Sequence, residues 1–324
     1  MKPDPAIAPP SLLRFWQPRH WPTWLGFGLL WLLVLLPFRA QRAVGSALGW
    51  LGLALARRRR SIAATNLRLC FPHLGDAARR DLLRRHFASL GLQVIEVGMS
   101  AWASDARIRR LWRVEGLEHL QGALAAGRGA IIVSGHFAAV EFSGRRLCMD
   151  TPDMAAIYRP NRNPLVDAFL ARVRRRSAGH LIPKDSIRRF IRRLAEGDAV
   201  WYAPDQSFRR KGSVLVPFLG VPAMTNTALS ALARVSKAPV VPYFAARRAD
   251  GKGYELRIEP PLENFPGDDP AADAMRINAI IERHVHQAPE QYFWVHRRFK
   301  GRPAPLADPY TRPGEDPRPP ATAE

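Results

Sequence analysis

The residues best suited to chemistry in this 324-residue chain are His136 and Glu141, in the stretch Ser134-Gly135-His136-Phe137-Ala138-Ala139-Val140-Glu141, directly after the apolar run Gly129 to Val133. On one continuous helix, five positions would rotate the two side chains roughly 140° apart, so they could not share a face. A strand ending near Gly135 and a helix starting near Ala138 would instead leave His136 at the strand's end and Glu141 in the first helical turn. From there the carboxylate is expected to reach back to one ring nitrogen and fix the tautomer, freeing the other nitrogen to take a proton from a hydroxyl. A bare His-x4-Glu spacing also fits a surface histidine beside an acid favoured by the helix dipole. The glycine-preceded position after an apolar strand favours the reactive reading, because α/β sheets present functional groups at the carboxyl ends of their strands.

Other candidates sit at equivalent places. Arg159 and Asn161 follow the apolar run Met154 to Tyr158, where the arginine's fork of donors could hold a phosphate or a developing oxyanion. Asp205 closes the run Ala199 to Ala203, as a substrate contact or a loop buttress. Arg188, Arg189, Arg192 and Arg193 repeat at helical spacing and make one positive face, with Arg188 and Arg192 candidates for holding an anionic substrate. Arg172 and Arg174 to Arg176 precede them, and Arg209, Arg210 and Lys211 follow. No GxSxG elbow, P-loop, GxGxxG or HExxH occurs, so covalent serine catalysis lacks support. His284 and His286 would diverge on a helix, and no metal is expected.

These groups need a scaffold. The segments 130–134, 154–158, 199–203, 214–218, 240–245 and 254–258 read as strands, and 76–100, 117–126, 138–149, 164–177, 186–196 and 225–237 as helices. The alternation predicts an α/β domain over 61–302. Asp250-Gly251-Lys252-Gly253 marks a hairpin between the last two strands, so the sheet is expected to be mixed and flanked by helices. Pro303 to Glu324 is proline-rich, without periodicity, and is expected to be a mobile tail.

Lysine and arginine outnumber aspartate and glutamate by 49 to 28, a net charge of +21, which calls for strongly anionic partners. Two cysteines, Cys70 and Cys148, exclude a disulfide scaffold and a thiolate zinc site. Residues 1–20 form an N-terminal flank. Trp21 to Phe38 carries no charge and at helical rise covers roughly 27 Å, which predicts a single transmembrane anchor. A cleaved signal peptide is the rival, with Ala54-Leu55-Ala56 resembling a cleavage site, but Arg39, Arg42 and Arg57 to Arg60 interrupt it. The charge asymmetry puts the large domain in the cytoplasm. Residues 39–60, with three glycines and a terminal arginine run, read as an interfacial or packed segment at headgroup level.

With these residues in view, the chain from about Trp16 to Arg302 resembles the lipid A late acyltransferases of Gram-negative inner membranes. The resemblance is carried by Asn66-Leu67-Arg68-Leu69-Cys70-Phe71-Pro72, by His136 with Glu141, by Tyr158-Arg159-Pro160-Asn161, by Trp201-Tyr202-Ala203-Pro204-Asp205, and by Pro289-Glu290-Gln291-Tyr292-Phe293-Trp294-Val295-His296-Arg297-Arg298-Phe299-Lys300. Gln206 departs from relatives with a histidine there. The resemblance implies a glycerolipid-acyltransferase-like fold. It also implies transfer of a fatty acyl group from acidic acyl carrier protein to the hydroxyl of a 3-hydroxyacyl chain on Kdo2-lipid IV(A) or its penta-acylated product. His136 would be the base, Glu141 its orienting acid, and Arg159 the support for an oxyanion or phosphate. No cofactor is implied, and the partners are the carrier protein, the anionic lipid A precursor and inner-membrane lipid, with no nucleic acid. The alternatives are a glycerol-phosphate or lysophospholipid acyltransferase of the same superfamily, and a non-enzymatic basic binder of anionic lipid or nucleic acid.

Overall fold

A computed structural model describes residues 10–151, 153–183, 186–208 and 212–310. The chain starts with a helical pair, α1 (Trp21–Leu35) and α2 (Phe38–Leu55), followed by α3 (Arg57–Cys70) and the long α4 (Asp76–Trp102). After α5 (Asp105–Leu111) come β1 (Trp112–Glu115), α6 (Leu117–Ala125), β2 (Ala130–Val133), α7 (Val140–Leu147), β3 (Met154–Tyr158), α8 (Pro164–Ala178), β4 (His180–Pro183), α9 (Ile187–Ala195) and β5 (Ala199–Tyr202). A hairpin of β6 (Ser213–Phe218) and β7 (Val221–Asn226) leads to α10 (Ala228–Ser236), β8 (Val240–Arg247), β9 (Tyr254–Ile258) and α11 (Pro270–Gln287).

The seven-stranded sheet runs β1-β9-β8-β2-β5-β3-β4 and is parallel except between β8 and β9. The α/β expectation therefore holds, including the β8–β9 hairpin and the mixed sheet. Period-two alternation divides the core. Ile131 and Val133 pack with Phe190, Leu229 and Ile281 on one face, while Ala130 and Ile132 pack with Ile95, Leu120 and Phe142 on the other. With both faces covered, β2 is apolar at every position, as buried parallel strands are. The strands not anticipated are β1, β4 and β7. Each lacks that run: β1 and β4 are edge strands interrupted by Arg113, Glu115 and His180, and β7 pairs only in the separate hairpin.

The single transmembrane helix over 21–38 does not form. α1 ends at Leu35, and Leu36 is extended (ψ 154°) because Pro37 clashes with a helical predecessor and lacks an N–H. Fifteen residues span roughly 22 Å against a hydrocarbon core of about 30 Å, and among the described residues no helix is long and apolar enough to cross a membrane. The break is capped from within: the Gln41 amide donates to the carbonyls of Leu33 and Val34 at 3.0 and 2.9 Å. Residues 39–60 hold most of α2, packed on α4 as one of the two expected arrangements, and the first turn of α3 with Arg57 to Arg60. An added Cβ on Gly49 would lie 2.1 Å from the Phe87 carbonyl oxygen, and one on Gly91 2.0 Å from that of Gly45, so backbone meets backbone at this crossing. The outer faces of α1 and α2 expose Leu25, Leu29, Trp31, Trp50 and Leu55.

Of the expected C-terminal tail, 311–324 lies outside the described residues. Tyr310 is tethered, its hydroxyl donating to Asn66 Oδ1 at 2.5 Å and accepting from the Phe299 N–H at 3.1 Å. Arg209, Arg210 and Lys211 also lie outside the described residues.

Candidate active site

β2 and β5 are parallel neighbours in register, Val133 opposite Tyr202. His136 is three residues beyond Val133 and Asp205 three beyond Tyr202, so the two leave the same sheet edge side by side. This is also where the strand order reverses, since β5 lies on one flank of β2 and the later β8 on the other, the crevice in which open α/β sheets place ligands. His136 Nδ1 is 2.5 Å from Asp205 Oδ1, and the His136 backbone N–H donates to Oδ2 at 2.7 Å. Asp205 is 2% exposed and the His136 side chain 29%.

The acid that braces the imidazole is therefore Asp205, and the expectation that Glu141 does so is corrected. Glu141 does stand in the first turn of α7, but its Oε1 accepts from Arg174 Nε and Nη2 at 2.7 and 2.6 Å. α7 and α8 pack together, and Arg174 on α8 reaches Glu141 before Glu141 could turn toward the ring. Asp205 is corrected likewise as a substrate contact, because both its oxygens are taken by His136.

Burial alone would lower the His136 pKa, but the charge and hydrogen bond of Asp205 outweigh it and hold the imidazole above 6.5. For Asp205 burial pushes upward, yet the attraction and hydrogen bonds of His136, with Arg298 behind, bring it down to about 2. The carboxylate stays ionised and accepts the Nδ1 proton, which leaves Nε2 as the ring's acceptor in the neutral form; among the described residues Nε2 has no partner.

That ring borders a cavity of about 320 Å³ between the sheet and helices α7 and α8, with Glu141, Arg159 and Arg174 among its lining residues. Its apolar walls include Val140, Met154, Ile157, Ala178, Trp201 and Phe293. From Ile157 to Met154 it follows β3 for roughly 10 Å. Trp201 meets His136 edge to face at 5.8 Å. Arg174 lies 5.7 Å over the Tyr158 ring, and its pKa, which burial would lower, is raised by Glu141.

Arg159, exposed just past β3, is brought to the mouth as expected. Asn161 is not among the lining residues; it sits in an exposed turn, its N–H bonded to Asp167 and its Oδ1 to the Asn163 N–H. Arg188 and Arg192 are not brought to the cavity either. They ride on α9, whose Phe190 and Leu194 pack on the opposite face of the sheet, and Arg192 pairs with Glu196 at 2.9 Å. Sequence reasoning took Arg174 only as part of a charge run, and no spacing rule marks it. The Asp205 pairing was detectable from equal offsets after two strands, given knowledge that the strands are neighbours.

An imidazole with one nitrogen held by a buried carboxylate, bordering a largely apolar cavity beside two guanidiniums, could take a proton from a hydroxyl in apolar surroundings, chemistry that suits an acyltransferase. The family model described as bacterial lipid A biosynthesis acyltransferase matches residues 9–301. The chain is 41% identical to the lipid A biosynthesis lauroyltransferase of Escherichia coli K12 over 89% of its length and 94% of that protein. It is 40% identical to the palmitoleoyltransferase of the same strain, covering 90% and 94%, and 30% identical to its myristoyltransferase, covering 92% and 93%. A solved structure of the 1-acyl-sn-glycerophosphate acyltransferase PlsC from Thermotoga maritima aligns with a TM-score of 0.38 at 15% identity, over 72% of this chain and 97% of that one. The chain belongs to the bacterial lipid A biosynthesis acyltransferase family and is an acyltransferase of lipid A biosynthesis.

Proposed function

We propose that this enzyme transfers a fatty acyl group from acyl carrier protein to the hydroxyl of a 3-hydroxyacyl chain on Kdo2-lipid IV(A) or its penta-acylated product, with His136 as general base. The observation that carries this reading is the His136 ring, which borders the apolar cavity with its Nδ1 held by buried Asp205. Nε2 takes the hydroxyl proton and the oxygen attacks the thioester carbonyl. The oxyanion collapses with cleavage of the C–S bond, and the imidazolium returns the proton to the leaving thiolate. A thioester is already activated, so no enzyme nucleophile or cofactor is needed.

Arg159 and Arg174 supply positive charge at the mouth for the oxyanion or for a phosphate of the acceptor, with Glu141 fixing the Arg174 fork. The apolar tube along β3 takes a hydrocarbon chain. The net charge of +21 favours an acidic donor protein and a phosphorylated acceptor. The exposed apolar faces of α1 and α2, with Arg57 to Arg60 directly after them, suit seating in the interface of the cytoplasmic leaflet of the inner membrane rather than a span. The glycerol-phosphate and lysophospholipid readings are not favoured, since the curated relatives reported above are lipid A acyltransferases.

The test is mass spectrometry of an acceptor incubated with acyl carrier protein thioester and enzyme. Wild type adds one acyl mass, and His136→Ala loses at least about 10²-fold in rate, the usual worth of a general base. Full turnover by folded His136→Ala refutes the assignment.

A further inference from the structure

We propose that Arg298 is a positioning residue of this active site: a buried cation that acts through Asp205, keeping it an anion beside His136 and increasing the fraction of imidazole that is neutral and able to act as base. The inference rests on the general-base reading of His136 and adds to it a residue that touches no substrate.

Arg298 is 3% exposed. Its Nη1 donates to the Met224 carbonyl and its Nη2 to Thr225 Oγ1, both at 2.8 Å, and its guanidinium lies 5.2 Å over the Phe218 ring. Among the described residues no carboxylate comes within 4 Å of it, and its Nε has no partner. A guanidinium removed from water with only neutral acceptors is costly unless an anion is near. The void it shares with Asp205, His136, Tyr292 and His296 measures about 10 Å³, room for about one water at most. Charge across that gap is therefore not damped by bulk solvent.

The surrounding groups leave Arg298 as the charge that matters on this side. His296 is pushed down to about 4, by burial first and Lys300 next, and is neutral at working pH. Burial keeps the Tyr292 and Tyr310 phenols and the Cys70 thiol protonated. Across the cavity Glu141 and Arg174 form a pair, and Arg159 stands at the exposed mouth. Without Arg298, a buried Asp205 whose remaining partners, the His136 backbone N–H, the Tyr292 phenol and a neutral imidazole, carry no charge would favour holding His136 protonated. A cation behind the carboxylate relieves that demand, so the imidazole can give up its proton at lower pH.

The test compares wild type with Arg298→Met, Arg298→Gln and Arg298→Lys as full-length protein in detergent micelles. The imidazole of His136, assigned by its loss in His136→Gln, is titrated by carbon-13 NMR, and acyl transfer is followed against pH. Removing the charge is expected to move the His136 titration and the acid limb of kcat/KM to higher pH by roughly half a unit or more. Arg298→Lys should restore both toward wild type. An unmoved or downward-moving titration in folded Met or Gln variants overturns the proposal, as does a Lys variant that behaves like Met. If Met disrupts folding, Gln, which can still donate to Met224, carries the test. Loss of wild-type acyl transfer would sink the catalytic reading, whereas the NMR titration reads Arg298 separately.

Discussion

Replacing Asp205 with asparagine removes the charge and leaves almost the same shape. In the native site two donors of His136, the backbone N–H at 2.7 Å and Nδ1 at 2.5 Å, each take one oxygen of Asp205. Asparagine offers one oxygen and one NH2 to those two donors. If the oxygen keeps the backbone N–H, the NH2 faces Nδ1, which must then become the acceptor, and the proton moves to Nε2. That tautomer has no lone pair toward the hydroxyl. In the analogous substitution of a buried aspartate behind a catalytic histidine, the wrong tautomer costs about 10⁴ in turnover, so a loss of roughly 10³ to 10⁴ is expected here. Any donor left unpaired would also cost about 1–3 kcal/mol of stability. Because Asp205 raises the His136 pKa, residual activity should show its acid limb displaced to lower pH. Glu141→Gln provides the contrast. Its oxygen still accepts from Arg174 and the imidazole is untouched, so the acid limb stays in place. A partly exposed ion pair is worth about 1 kcal/mol, hence a rate loss of about fivefold, felt mainly as a raised KM. Initial rates of acyl transfer across pH 5 to 9 measure both. If Asp205→Asn turns over normally with an unmoved limb while Glu141→Gln shifts it, the assignment of the bracing acid is wrong.

Further outcomes follow from other parts of the molecule. Gly144 lines the tube, and an added Cβ there would lie 3.2 Å from the Ser177 carbonyl oxygen; Gly144→Leu should shift donor preference to shorter chains, read as a change in the acyl mass transferred, and unchanged chain selection would remove the tube as the acyl site. Wild-type kcat/KM should rise with pH through a value above 6.5, the unperturbed imidazole pKa. The raised folded pKa means the charged pair stabilises the protein fully below about 6.5 and loses that contribution as pH rises through the folded value; melting temperatures of wild type and His136→Gln against pH should therefore converge on the alkaline side. Replacing Leu25, Leu29 and Trp50 with serine should release the protein from lipid vesicles even at low salt without altering its melting temperature by more than a few degrees, and retained binding would rule out the apolar face as the membrane contact.

Much of this architecture could be read from the chain because buried parallel strands must be apolar at every position, as Ala130 to Val133 and Ala199 to Tyr202 are. The helix expected over 164–177 forms as α8, its start capped by the Asn163 side chain, which accepts from the N–H groups of Leu165 and Val166. What the chain could not announce was tertiary. Two acids stood at comparable sites, and the nearer in sequence, Glu141, was captured by Arg174 from a neighbouring helix, while Asp205 arrived through a strand pairing that spans 69 positions. The hydrophobic run Trp21 to Phe38 counted correctly as apolar, but one proline set its length. The arginines of α9 were correctly placed on a helix, yet periodicity says nothing about which side of a sheet that helix covers.

The glycine crossing of α2 and α4 carries one more implication. Where backbone touches backbone there is no side chain to bend, so the two rods cannot slide or tilt independently. α4 continues to the cavity wall through Gln93, and α2 belongs to the greasy outer hairpin. On the proposed seating, how deep the protein sinks into lipid and how high its doorway stands above the headgroups become a single fixed measurement, gauged by Gly45, Gly49 and Gly91.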